Sequence, residues 1–278
     1  MTLHQGASAR PWVERVLSIN GWIVFAFLYL PIFVVIIFSF SGAANVGIWG
    51  GFSLRWYERM FANDQLMSAL RNSLWVALIS TVIATILGTA AALALDRYRK
   101  WVSRGTFDAV LYMPVIIPDV TMAVMLLLWF TSIGMTLGRG TITLAHIAFN
   151  ISFVAIVVRA RLANMDPAME EAAADLYANR WQAFRRVTLP LIMPGVLGGG
   201  LLALTLSLDD VVITSLVQGP GSATLPVYVF GLIRRSVTPE INAVSTLMLT
   251  TSVALILASL LFQSRPDRRE TKIEEEKT

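Results

Sequence analysis

The chain has 278 residues, 56% of them hydrophobic and 14% charged. Soluble domains carry about 25% charged residues, so most of this surface does not face water. The net charge is +4 and there is no cysteine, which excludes disulfides, thiol catalysis and Cys-ligated metals. The basic residues sit in short segments between apolar runs, the pattern of a membrane protein rather than of a nucleic-acid binder.

A membrane span needs about 20 mostly apolar residues. Six runs qualify, at about 20–40, 73–95, 107–130, 142–160, 191–217 and 243–262. They predict an all-α membrane protein with a single transmembrane domain over 1–278. Ser41-Gly42-Ala43 after the first run is a weak cleavage site. The run exceeds the roughly 7–15 residues of a signal-peptide core, so it reads as a retained span. Arg10 and Arg15 precede it. Arg97, Arg99, Lys100 and Arg104 follow span two; Arg159, Arg161, Arg180, Arg185 and Arg186 follow span four; Arg265, Arg268, Arg269, Lys272 and Lys277 lie in the tail. Six spans put these 16 of the 22 basic residues on one side, which is then cytoplasmic together with both termini. Arg55, Arg59, Arg71, Arg139, Arg234 and Arg235 fall on the other. The mixed-sign tail from Arg265 reads as a solvated, disordered end.

Gly88 and Ala92 give span two a small-residue face. In span three, Pro114 and Pro118 lie about one turn apart and predict a kink, which either opens a lumen or fits a packing bend. Asp119 follows. A charge at mid-membrane costs about 2.5–3.5 kcal/mol on insertion scales and faces a cavity or a partner. Asp119 is therefore either a pathway residue or a structural acid. His146 in span four reads as a packing residue, and two histidines are too few for a His-ligated metal.

Between spans four and five, at about 161–190, Asp166 caps a helix with Pro167 in its first turn. Glu170 and Glu171 suit its N-terminal dipole. Met169, Ala172, Ala173 and Leu176 share one apolar face, low at its centre, where another body can approach closely. A second short helix carries Trp181 and Phe184 on one face, with Arg185 and Arg186 pointing elsewhere. In span five, Gly195 and Gly199 form a close-contact pair beside Gly198 and Gly200. Asp209 and Asp210 follow. On a regular helix they point about 100° apart. One then lines a path while the other accepts backbone or Ser/Thr hydrogen bonds, or both are structural.

Glu171-Ala172-Ala173, with Leu189-Pro190 downstream, resembles the EAA loop of bacterial ABC-importer permeases. Ser207-Leu208-Asp209-Asp210-Val211-Val212-Ile213, Gly219-Pro220-Gly221, Thr224-Leu225-Pro226 and Thr238-Pro239-Glu240-Ile241-Asn242-Ala243 resemble the polyamine branch of that family, as do Arg55-Trp56-Tyr57 and Pro114…Pro118-Asp119. The putrescine type of second permease subunit is the nearest. The resemblance implies a six-span permease bundle whose cytoplasmic coupling helix docks on a separate ATPase. It implies coupling residues Glu170, Glu171, Ala172, Ala173, Asp175, Leu176 and Tyr177, and Asp119, Asp209 and Asp210 as candidates for the pathway. The family usually has glycine where this chain has Tyr177; a positive φ there would strain tyrosine. The implied partners are a second homologous permease, cytoplasmic ATPase subunits, a periplasmic solute-binding protein and membrane lipid, with no nucleic acid.

No GxxxxGK[ST] loop is present, so ATP and Mg are expected on the partner ATPase, and this chain is expected to bind no cofactor and to catalyse nothing. An intramembrane protease would need GxGD or GxSG, and neither string occurs. A secondary transporter would show internal repeats, and none is clear.

Overall fold

The computed structural model describes residues 11–97, 104–166, 168–235 and 238–263. The expectations for His4, Arg10, Arg99, Lys100, Pro167 and the tail from Arg265 lie outside the described residues. The described chain is helical, with one isolated bridge between Ser41 and Phe52. Its helices are α1 (Pro11–Ser39), α2 (Arg55–Ala62), α3 (Asp64–Arg97), α4 (Arg104–Ile116), α5 (Asp119–Ser132), α6 (Arg139–Ala163), α7 (Ala168–Asp175), α8 (Arg180–Ala183), α9 (Leu189–Asp209), α10 (Val212–Val217), α11 (Leu225–Arg235) and α12 (Pro239–Gln263). A π-helical turn, Phe184–Thr188, joins α8 to α9.

Four stretches are long and apolar enough to cross a membrane: Trp12–Ser39, Asp64–Arg97, Arg139–Ala163 and the continuous Arg180–Asp209. A fifth arises if the bent pair α4–α5 is one span. The expected sixth run falls on α12.

The chain divides into two compact units, residues 1–62 with 232–250, and 63–231 with 251–278. In the first, the loop after α1 is closed by backbone bonds from Gly42 N to Gly51 O (2.9 Å) and from Ser53 N to Phe40 O (2.8 Å). The rings of Phe40 and Phe52 stack across it, and the Ser39 and Tyr57 hydroxyls are 2.8 Å apart.

The second unit is built on α3, α6 and α9, which pack on one another. Small residues set the crossings. A Cβ on Gly88 would lie 2.7 Å from Val154 Cβ and 2.8 Å from Ile151 O; one on Gly199 would lie 3.3 Å from Val154 Cα. The paired levels fix direction: Gly88 and Ser80 of α3 lie level with Val154 and His146 of α6, and with Gly199 and Ser207 of α9. α3 and α6 therefore run parallel and α9 antiparallel to both. The chain between Arg97 and Arg139 must return along the full height of the bundle, so α4 and α5 together traverse it. Two apolar cores result. One groups Val76, Phe130, Ile142, Phe149, Ile213 and Val217, the other Ala92, Val154, Val158, Ile192 and Ala203.

Two expected spans are broken rather than continuous. Span three bends by 107° between α4 and α5. Helix α4 passes through Pro114, and the break falls at Pro118. Proline there lacks the N–H that would bond one turn back, and it disfavours helical backbone at Ile117. Ile117 N still bonds Met113 O (3.0 Å), and Pro118 O accepts the first bond of α5 from Met122 N (3.1 Å). Span five stops at Asp209. Asp210 is extended, with φ −66° and ψ 127°, and α10 begins two residues later.

Candidate functional site

Two polar constellations lie in the second unit, at the break of span five and at the hairpin before it. At the break, the Asp210 carboxylate accepts the N–H groups of Ile213 (3.2 Å) and Thr214 (2.7 Å), the open first turn of α10. It therefore acts as a helix cap in the middle of an expected span. His146 is fully buried, with Nε2 3.3 Å from Asp210 Oδ2 and 3.0 Å from Thr214 Oγ1, and Nδ1 2.6 Å from Ser207 Oγ. A carboxylate only accepts, so Nε2 bears the hydrogen toward Asp210. Ser207 also lies 3.2 Å from Ser80 of α3. Four helices and a backbone break thus share one buried network, and His146 has the packing role expected of it.

Asp209 is exposed while Asp210 is mostly buried. The angular argument from a regular helix does not apply at this break; Asp210 is the one of the two that takes backbone bonds. Asp119 is also exposed, at the first position of α5, beside the break of span three. The packing of α10 on α5 puts both broken spans in the same part of the bundle, with Ile117 and Val212 against one apolar core.

In the hairpin, Asp166 Oδ1 accepts from Ala168 N (3.0 Å) and opens α7 as expected. No residue of α7 is buried. Along its apolar face Met169 and Leu176 are exposed, and Ala172 and Ala173 leave its centre low. Glu171 and Asp175 are exposed beside them. The helix ends in a left-handed residue: Tyr177 has φ +60°. Ala178 N bonds Ala173 O (3.1 Å) and Tyr177 N bonds Ala174 O (2.9 Å), the paired closure that normally employs glycine. Asn179 then caps α8, accepting from Gln182 N (2.9 Å) while Gln182 Oε1 accepts from Asn179 N (3.0 Å). The Trp181 and Phe184 rings lie 5.6 Å apart on a shared face.

Glu170 differs from its neighbours. Its Oε1 accepts from Arg97 Nη2 at the end of α3 (2.7 Å) and from the hydroxyl of Thr188 at the foot of α9. It is turned toward the bundle and away from the exposed face that Glu171 and Asp175 flank. Sequence reasoning grouped it with them, because neither partner is a helical neighbour. It also missed the pair of Arg159 Nη1 with Asp108 Oδ1 (2.5 Å), which ties α6 to α4.

The family of binding-protein-dependent transport system inner membrane components matches residues 84–272, from the second half of α3 through both broken spans and the hairpin. The chain belongs to that family. The putrescine transport system permease protein PotI of Escherichia coli (strain K12) is 42% identical over 245 residues, covering 86% of each chain. The spermidine/putrescine transport system permease protein PotC of Haemophilus influenzae is 40% identical over 240 residues, covering 86% of this chain and 93% of its own. In fold, the chain is similar to a crystal structure of a bacterial ABC transporter involved in the import of the acidic polysaccharide alginate. The TM-score is 0.74 at 18% identity, covering 92% of this chain and 96% of that one. The chain is thus a multi-pass inner-membrane transport component.

Proposed function

We propose that this chain is the transmembrane permease subunit of an ATP-driven importer that carries a polyamine, putrescine or spermidine, across the inner membrane. The observation that carries the reading is the 42% identity to a putrescine permease over 86% of each chain. The whole chain serves as one permease domain of six spans, with α4–α5 and α9–α10 as broken spans and α12 as the sixth, and both termini cytoplasmic. A second, homologous permease completes the path, and a periplasmic binding protein delivers the solute. Cytoplasmic ATPase subunits bind ATP and Mg and dock on the exposed face of α7, through Glu171, Ala172, Ala173, Asp175, Leu176 and Tyr177. This chain catalyses no reaction and holds no cofactor. Closure of the ATPase pair moves α7, and the bundle alternates between outward-open and inward-open states.

A polyamine is polycationic at neutral pH, since alkyl amines titrate near the Lys value of about 10.4. Carboxylates on the path stabilise such a cation as it loses water. The exposure of Asp209 and Asp119 at the two breaks supports this role for them. Asp210, already committed to α10 and His146, shapes the break instead.

The test is uptake of radiolabelled putrescine and spermidine by cells lacking this chain and complemented with it. Asp209→Asn is expected to reduce uptake by roughly tenfold or more with complex yield retained, as loss of a desolvated ion contact costs about 2 kcal/mol or more. Asp210→Asn is expected to reduce the yield of assembled complex. Unchanged polyamine uptake on deletion, with loss of another solute, would refute the substrate. Normal transport by Asp209→Asn would remove that acid from recognition.

A further inference from the structure

The contacts of Glu170 point beyond docking. We infer that Arg97, Glu170 and Thr188 form a clasp that fixes the orientation of α7 relative to the ends of α3 and α9, so that movement of α7 is passed to both spans at once. Glu170 is a positioning residue in this role, and it touches neither substrate nor ATPase. The inference rests on the docking of α7 for its functional consequence, but not for the clasp itself.

Three observations converge on it. First, the three side chains are mutually bonded. Arg97 Nη2 donates to Glu170 Oε1 (2.7 Å) and to Thr188 Oγ1 (3.3 Å), and the Thr188 hydroxyl donates to the same carboxylate oxygen. They come from three elements, 73 and 18 residues from Glu170 in sequence, so no local helix geometry demands their meeting. Secondly, Thr188 is fully buried although it is polar. Its hydroxyl is satisfied by this contact, as a buried polar group must be. Thirdly, Thr188 ends the π-helical turn, where Leu189 N bonds Phe184 O, five residues back. Single π turns inside helices mark points where a helix departs from regular geometry, frequently at functional sites. The hairpin is therefore joined to α9 by an irregular backbone turn, and the clasp lies across that turn.

Without the clasp, α7 is attached to the bundle through the chain beside Asp166 and through this turn. Every other face of α7 is exposed or half-exposed. A push on α7 would then be absorbed in the turn and would not displace α3 and α9. With it, α7 is held at two points on two antiparallel helices. The ion pair itself is about one-third exposed at each side chain and contributes little to global stability. Removing it is therefore expected to change orientation and transmission while leaving the fold intact.

The chain has no cysteine, so paired spin labels report without background. Labels at Ala94→Cys and Leu176→Cys, both exposed positions, measure α7 against α3 in the purified full-length chain. A narrow distance distribution is expected with Glu170 present, a broad one in Glu170→Ala, and a narrower one again in Glu170→Gln, which keeps an oxygen acceptor for Thr188. An unchanged distribution in Glu170→Ala overturns the clasp. In the assembled transporter, Glu170→Ala is expected to retain the ATPase on co-purification while putrescine uptake per ATP hydrolysed falls about fivefold, within the range by which such coupling residues act. Loss of the ATPase together with uptake would place Glu170 on the docking face and overturn the inference. If the unmodified chain captures no ATPase, the docking reading fails, and the distance measurement alone decides the clasp.

Discussion

Tyr177 has a left-handed backbone and a side chain 97% exposed. A non-glycine residue in that region costs roughly 1–2 kcal/mol, against about 0.5–1 kcal/mol for the extra unfolded-state freedom of glycine. No packing offsets the strain, because almost the whole side chain is in the open. Tyr177→Gly is therefore expected to stabilise the end of α7 by about 0.5 kcal/mol, which slows exchange of the Ala178 amide roughly twofold. Hydrogen exchange in the isolated chain measures this; faster exchange would show that the ring is held by something that stabilises the turn. The sequence exposed this site through its mismatch with the family pattern. It did not expose the different surroundings of Asp209 and Asp210. Their separation by angle assumed an unbroken helix, and no proline or glycine marks the break. The available signal was Asp210 ahead of a short Val-Ile-Thr run, an acid placed to cap a helix start. The sequence placed Glu170 in the first turn of α7 but carried no signal of its contacts, since Arg97 and Thr188 reach it only through the fold.

At the level of helices, each of the six apolar runs falls on helix, but the sequence read their continuity poorly. Hydropathy averages over a window, so a break of one or two residues inside an apolar run disappears. Pro118 could be read because its chemistry is local, although Pro114 gave the same signal and did not interrupt α4. The small-residue faces were legible for the same reason that they pack: only glycine or alanine admits a neighbouring backbone. Gly88 is the sharpest case. An added methyl would meet Val154 Cβ at 2.7 Å and the Ile151 carbonyl at 2.8 Å, and the carbonyl belongs to a helix that cannot yield locally. Gly88→Ala is expected to cost about 1–3 kcal/mol by overpacking. Gly105→Ala, with nothing within 4 Å of the added atom, is the matched control and is expected to change little. Thermal unfolding in detergent compares them. Equal melting temperatures would mean that α3 and α6 can separate freely at this crossing.

For the whole molecule, the burial of each apolar stretch rises from none in α1 to 33% in α3 and in Arg180–Asp209, and to 61% in α6. Helix α6 is thus the central post of the second unit. The proposed orientation rests on charge combined with helix direction in the second unit. The start of α6 meets the end of α10, where Thr141 Oγ1 donates to Val217 O (2.7 Å). The start of α3 reaches the same layer, where Asn72 Nδ2 donates to Gly221 O (3.1 Å) and Ala223 O (3.0 Å). Arg97, Arg161 and the foot of α9 gather at the opposite end, where Arg161 Nε donates to Leu191 O (3.1 Å). Had α4–α5 been a re-entrant loop, α3 and α6 would run antiparallel, and the basic clusters after spans two and four would lie on opposite sides. Their parallel course puts Arg97 and Arg161 at one end of the bundle, the end that the proposed function makes cytoplasmic and that the positive-inside rule favours. Single cysteines at Gly221 and at Leu176 are therefore expected to differ in intact cells. A thiol reagent that enters the periplasm but does not cross the inner membrane should label Gly221→Cys and spare Leu176→Cys until the membrane is opened. Labelling of Leu176→Cys in sealed cells would invert the orientation and move the α7 face out of reach of any cytoplasmic ATPase.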